Sequence, residues 1–484
     1  MSDSGMTSPP PASTPPPGST PPSAASPPSA AAPPAGSAPD PAAVLRSRSY
    51  VVLLLFGAIV GVIVATVAYF FLKLIAEAQQ YVFVTLPKDV GFHGAPVWWP
   101  LPLLGLSGLL VGLTIRYLPG TGGHKPAEGF RFSGPAAASE LPGIIIASFA
   151  TLSLGVVLGP EAPLIAIGGG LGALALHLLR RNALPQAVTL IAAAGSFAAI
   201  STLLGSPIVA AFLLMEAAGL GGALLGVVLV PGLLAAGVGA LMFVGLDGWT
   251  GFGTFSLAIP SIPHFGSPTV AEFLWAIGIG LAAAVLGTGI RRSALLLQPI
   301  VERRMVVLTP VAGLAVAGLA IVFAETTGRS SSEVLFSGQS ALPSLIQNAA
   351  GWTAGALVLL VVCKGLAYSV SLSSFRGGPV FPSMFIGAAG GMALSHLPGL
   401  PLIAGAAMGI GAMTAVMLDL PLTAVLLVAL FMSADALALT PLVIVAVTVA
   451  YVTSARLKPP AASQPKVPEP ARRAVASPPE PRSA

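Results

Sequence analysis

Charge is what this chain lacks. Asp, Glu, Lys and Arg make up 8% of its 484 residues, where roughly 25% is usual for a soluble globular chain. A chain of this length could bury a large core, but it could not clothe a water-facing surface with so few charges. That excludes an ordinary soluble enzyme and a nucleic-acid reader. Cysteine is almost absent, and the single Cys363 makes no intrachain disulfide and no metal cluster. It lies inside an apolar run, where it reads as a small buried residue, and neither a metal nor a cofactor is expected. Acids are scarce in the apolar core, with Glu161, Glu216 and Asp419 the ones that intrude. A membrane-embedded hydrolase or lipid transferase needs a nucleophile beside a base or paired acids on a metal. Ser153 and Ser206 have no such setting, so the chain does not read as an enzyme. A cation or organic-substrate transporter would want more intramembrane acids than these three.

Apolar residues are abundant instead. They form 55% of the chain, and the mean hydropathy is +0.90. Fourteen apolar runs follow one another from Val51–Ile75 to Leu437–Val452. Runs of ~20 apolar residues span a bilayer core of ~30 Å, so the expected fold is an all-α polytopic membrane protein. Residues 1–48 and 458–484 are rich in Pro, Ala and Ser, too poor in apolar bulk to offset ordering entropy. They are expected to be disordered tails around a membrane domain at 49–457. The net charge of +5 sits mainly in loops and tails. Arg46 and Arg48 precede the first run, Arg291, Arg292, Arg303 and Arg304 flank a mid-chain break, and Arg456 and Lys458 follow the last. By the positive-inside rule all three places are expected to be cytoplasmic, with both tails inside; the expected location is the inner (plasma) membrane.

Several runs are shorter than a span and open on Gly-Pro or polar-Pro pairs. Short broken helices facing lipid would expose unpaired backbone, so they must line a protein-buried site or an aqueous cavity. The breaks repeat. GPEAPLIAIGGGLGALALHL at 159–178 and GPVFPSMFIGAAGGMALSHL at 378–397 match at eight of twenty positions with an offset of 219. GSPIVAAFLLME at 205–216 resembles DLPLTAVLLVAL at 419–430 with an offset of 214. The core is therefore duplicated, with halves roughly 49–250 and 265–457. Duplicated halves with discontinuous helices point to a channel or secondary transporter whose site lies between them near mid-membrane.

Pro160 or Pro163 can start one helix, Pro379 or Pro382 its repeat-mate, and Ser206-Pro207 reads as an N-cap followed by the first helical residue. A helix start presents free N–H groups and the positive end of the macrodipole. Several starts converging in the membrane make an anion site without a fixed cation. Glu161 stands at one of these starts, where a carboxylate is costly and is read as functional. Ionised, it fills the anion's seat; protonated or swung out, it admits the ion. The alternative is a carboxylate that merely caps its own helix. Asp419 reads as a cap before Leu420-Pro421, and His177 and His396 as structural residues at helix ends.

These residues resemble the CLC family of chloride channels and proton-coupled chloride exchangers across nearly all of 49–457. GPEAP at 159–163 resembles the family's Gly-(Lys/Arg)-Glu-Gly-Pro motif, which implies that Glu161 is the gating glutamate. GGPVFP at 377–382, with Lys364 upstream and Gly387 downstream, resembles Gly-Gly-x-Phe-x-Pro, and GTGGHKP at 120–126 resembles Gly-Ser-Gly-Ile-Pro. The resemblance implies two inverted-topology repeats, a homodimer with one pathway per subunit, and a small anion as cargo. The anion-binding residues it implies are Thr121, Gly122, Gly159, Ala162, Gly378, Val380 and Phe381.

Four departures bear on mechanism. Pro160 replaces a basic residue. Pro379 has no N–H where one commonly faces the anion, which leaves Val380 and Phe381 as donors. In the third motif the inner hydroxyl falls on Thr121 in one alignment and on Gly123 in the other, and His124 and Lys125 read as loop or vestibule residues. Arg376 is a loop charge or a vestibule attractor. Finally, the inner proton-taking glutamate of the exchangers falls on Ala217, with Glu216 beside it as a candidate proton path. Tyr451 lies too early to be the family's pathway tyrosine. The leading expectation is a passive or weakly coupled chloride pathway. The alternatives are a proton-coupled chloride antiporter, which also moves protons, or a pathway preferring fluoride or nitrate.

Overall fold

Among the described residues each apolar run folds largely as a helix, and proline opens or flanks many of the helix starts. The computed structural model describes residues 46–130, 134–219, 224–251 and 265–458, so the expected tails lie almost wholly outside the described residues. The first half holds α1 (Arg48–Gln80), α2 (Pro100–Tyr117), α3 (Leu141–Ser153), α4 (Glu161–Leu179), α5 (Pro185–Leu204), α6 (Pro207–Ala217) and α7 (Leu224–Thr250). The second holds α8 (Val270–Arg303), α9 (Met305–Thr327), α10 (Ala341–Gln347), α11 (Ala354–Ser374), α12 (Val380–Leu394), α13 (Leu402–Leu418), α14 (Pro421–Met432) and α15 (Ala436–Leu457). The short α10 carries no apolar run of its own and was not foreseen. Nine of the described helices are long and apolar enough to cross a membrane, whereas α3, α6, α12, α13 and α14 are shorter apolar helices. This is the expected all-α polytopic fold with two inverted repeats of short, broken helices.

Proline occupies the first or second helical position of α2, α3, α5, α6 and α14. There its missing N–H costs nothing and its fixed φ favours the helix. The two motif helices differ slightly from expectation: they begin at Glu161 and Val380, with Pro160 and Pro379 as the flanking caps. Ser206 does cap α6, its hydroxyl accepting from Val209 N at 3.3 Å. Asp419 does not cap α14. It ends α13 with a left-handed backbone (φ 62°), and its carboxylate pairs with Arg291 at 2.6 Å and with Lys458. That conformation turns the side chain toward the two cations and away from the N–H groups of α14.

The duplication is visible in the packing. α4 packs on α5 as α12 packs on α13, while α2 meets its counterpart α9 and α6 meets its counterpart α14. In the first pair a Cβ at Gly168 would strike the carbonyl of Gly195, and in the second a Cβ at Gly387 would strike that of Gly409. Glycine lets each helix pair close to backbone contact, as in membrane packing generally. Every residue of α13 from Ile403 to Leu418 is buried, so its all-round apolar surface faces protein. The outer helices turn the other way: Val51, Leu55, Ile59 and Leu74 of α1 and Leu274, Val285 and Leu296 of α8 are exposed, a face fit for lipid tails.

Candidate functional site

The two motif helices start side by side at the centre. Gly159 and Gly378, equivalent by the repeat, form an antiparallel bridge: Gly159 N donates to Gly378 O at 2.7 Å, and Gly378 N to Gly159 O at 2.5 Å. Reciprocal pairing of equivalent residues is what a local twofold axis requires. These two N–H groups are consumed by the bridge, so the glycines offer close approach and not donors. A Cβ on either one would collide with the carboxylate of Glu161.

Glu161 is fully buried. It opens α4, yet its carboxylate crosses to the repeat-mate, where Oε1 accepts the backbone N–H of Phe381 at 3.0 Å. Oε2 has no hydrogen-bond partner. The reading in which it caps only its own helix therefore fails on geometry: it sits at the start of α12. Phe381 occupies the second position of α12 and Val380 the first, while Ala162 is second in α4. The first N–H groups of a helix have no intrahelical acceptor. Among the described residues those of Ala162 and Val380 have no other acceptor either. Pro163 and Pro382 remove the third donor from each turn, so the donor set is small and drawn from both halves.

Tyr368 is a residue that sequence reasoning missed. Fully buried on α11, it donates its hydroxyl to Pro379 O at 2.8 Å and lies within electrostatic reach of Glu161. The signal was a tyrosine inside an apolar run 11 residues before Pro379. Tyr451, by contrast, is 37% exposed on α15. Lys364 is also fully buried, its Nζ donating to the carbonyls of Glu333, Val334, Leu335 and Phe336 at 2.9–3.2 Å. Phe336 N in turn donates to Gly155 O at 3.1 Å. Lys364 thus ties the chain before α10 to the segment that leads into GPEAP.

The loop after α2 resolves the two alignments of the third motif into two places. Gly120, Thr121, Gly122 and Gly123 all have positive φ, which only glycine adopts at no steric cost. Thr121 borders a cavity of about 620 Å³ with Arg116, Lys125, Arg303, Arg304 and Arg376. Gly123 and His124 border a second, of about 270 Å³, shared with Ala162, Gly377 and Pro379. Gly122 is buried and lines neither. His124 bonds Gly129 O at 2.7 Å, and Lys125 pairs with Glu302 at 2.7 Å.

Glu216 is drawn elsewhere. Its carboxylate accepts from Leu422 N at 3.0 Å and from Thr423 N and Oγ1 at 2.7 and 2.6 Å. It supplies from across the repeat the cap that α14 lacks. Ala217 follows it at the end of α6.

The chain is similar to known proteins in sequence and in fold. The profile described as "Voltage gated chloride channel" matches residues 107–455. A protein of Escherichia coli (strain SMS-3-5 / SECEC), named "Putative ion-transport protein YfeO", is 30% identical over 364 residues, covering 74% of this chain and 82% of that one. The crystal structure of a slow cyanobacterial Cl−/H+ antiporter superposes with a TM-score of 0.68 at 18% identity, covering 84% of this chain and 94% of the other. That of a CLC-type fluoride/proton antiporter gives 0.61 at 21%, covering 84% and 95%. At these identities the two structures speak for the fold alone.

Proposed function

The chain belongs to the CLC family of voltage-gated chloride channels and their relatives, and on that premise we propose that it carries a small anion, chloride first, across the membrane. The pathway runs past the paired starts of α4 and α12, and Glu161 is its gate. The observation that carries this reading is the Glu161 carboxylate held by Phe381 N–H at 3.0 Å at the start of the repeat-mate helix. An anionic oxygen already sits where helix N–H groups converge. Protonation removes its negative charge and weakens its hold on that N–H. The side chain then leaves, and an anion takes its place on the N–H groups of Phe381, Val380 and Ala162. Gly159 and Gly378 line the seat and let the ion approach the backbone. Thr121 and Gly122 belong to the inner end of the pathway.

Passive or weakly coupled transport is the reading we favour, because Ala217 cannot titrate and Glu216 is occupied in capping α14. Proton-coupled exchange is the second reading, supported by structural neighbours that are themselves antiporters. The fluoride/proton neighbour gives fluoride a place beside chloride and nitrate among the candidate ions. We further propose a homodimer in the inner membrane with both tails cytoplasmic; the basic residues at 46, 48, 456 and 458 support that orientation.

Proteoliposomes holding a chloride gradient, followed with chloride and pH electrodes in one chamber, test the reading. Chloride efflux without proton uptake is the expected result. Proton movement in fixed ratio to chloride would make the chain an exchanger and return attention to Glu216. If chloride, fluoride and nitrate all fail to move, anion transport is refuted.

A further inference from the structure

Arg376 stands in the loop between α11 and α12, immediately before Gly377-Gly378, and is 3% exposed. Two of its nitrogens are engaged. Nε donates to Thr121 O at 3.0 Å and Nη1 to Phe375 O at 3.1 Å. Nη2 is buried with no partner. Both acceptors are neutral carbonyls, and among the described residues no carboxylate lies within ion-pair distance of the guanidinium. The acids whose charge reaches it, Glu302 and Glu128, share the one Lys125 at 2.7 and 3.8 Å and make no direct contact with the guanidinium. A buried cation is tolerated when it is paired and its donors are satisfied. Its Nη2 is not, and the residue lines a mainly basic cavity of about 620 Å³ together with Thr121, Arg116, Arg303, Arg304 and the paired Lys125 and Glu302. Among the described residues those three arginines form no ion pair.

Nη2 therefore lacks a direct partner among the described residues. We infer that Arg376 is an anion ligand of the pathway, its Nη2 donating to a small monovalent anion (a halide or nitrate) that enters from the basic cavity. The departure at Pro160 removes a fixed positive charge beside the pathway, and Arg376 restores one from the other half, 216 residues later in the chain. The residue also ties the Thr121 loop to the start of the Gly-Gly-Pro segment, so it touches both walls between which the ion passes. This inference rests on the anionic reading of the pathway, and its test separates the two.

Crystals of the full chain soaked in bromide should show anomalous density in contact with Arg376 Nη2, lost in Arg376→Gln. In proteoliposomes Arg376→Gln should raise the half-saturating chloride concentration about tenfold, the equivalent of one charge-assisted hydrogen bond. Maximal flux and melting temperature, read on the same variant, separate a lost ligand from a loosened loop, because only a lost ligand raises half-saturation. Arg376→Lys keeps the charge but not the planar fork, and should shift half-saturation by a smaller factor; it carries the test if the Gln variant does not fold. Bromide in the seat of a Glu161→Ala variant but not at Arg376 would overturn this inference and leave anion transport standing. So would an Arg376→Gln variant that lowers maximal flux and melting temperature together while half-saturation stays put, since that is what a loop tie alone predicts. Bromide at neither place, with no anion moved, would sink both readings.

Discussion

The start of α4 and the start of α12 share one backbone design and differ in one decisive side chain. Both follow Gly-Pro, both carry proline at the third position, and their glycines pair with each other. Glu161 stands at the first position of α4 where Val380 stands in α12. The symmetric part builds a seat for negative charge. The asymmetric residue fills it, using a donor from the opposite start. Symmetry thus accounts for the seat, and its local violation for the gate.

The sharpest way to break this comparison is to exchange the two residues. We expect wild-type flux to rise as pH falls, by up to about tenfold per pH unit, the limit for a single protonation. Protonation empties the seat, so the sign is gain at low pH and loss as pH rises. Glu161→Ala should abolish this dependence and hold flux at its high level. Because the halves are inverted, the double exchange Glu161→Val with Val380→Glu should restore pH dependence but move it to the opposite face. Oriented liposomes with pH set separately on each side would show this, and dependence that stays on the original face would refute the symmetric seat.

Lys364 offers the next largest contrast. The position 219 residues earlier is Ile145, which is 38% exposed. Lys364→Met leaves four carbonyls without their buried cation and should cost on the order of 3–5 kcal/mol. Ile145→Met should change stability by less than about 0.5 kcal/mol. Melting temperatures in detergent read both. Gly378→Ala comes third: its methyl meets the Glu161 carboxylate and should cost about 1–3 kcal/mol. Much of that loss should return in the Glu161→Ala background, since contacting sites are not additive. A cost unchanged by the second substitution would place the clash elsewhere.

The caps give the smallest effect. α6 is capped by its own Ser206, whereas its counterpart α14 is capped by Glu216 from the other half. Ser206→Ala should cost about 1 kcal/mol. Glu216→Gln keeps one acceptor oxygen but loses the charge and the second acceptor, and should also cost about 1 kcal/mol.

The fold was legible because lipid solubility and broken helices leave plain marks: long apolar runs, Gly-Pro punctuation, and the same punctuation twice. The convergence of 159–162 with 378–381 followed from the same repeat. What a linear reading missed depends on through-space neighbours. Asp419 had the spacing of a cap, but the left-handed end of α13 gave it to Arg291 and Lys458. Tyr368 looked like one more apolar-run aromatic, and only folding brings its hydroxyl to Pro379 O. Arg376 drew attention as a charge beside GGP, but its unpaired Nη2 exists only once Thr121 and Phe375 have taken the other nitrogens. Glu216 is the reverse case, a residue singled out for protons whose carboxylate is spent on three donors of α14.

The Gly159–Gly378 bridge carries a mechanical consequence. Two hydrogen bonds related by a local twofold lie on either side of its axis, at almost no lever arm. A small twist of one half against the other about that axis barely changes their lengths, while any sliding along the strands lengthens both at once. The bridge thus resists sliding of the two helix mouths more than a twist about its own axis, and helps to keep them in register.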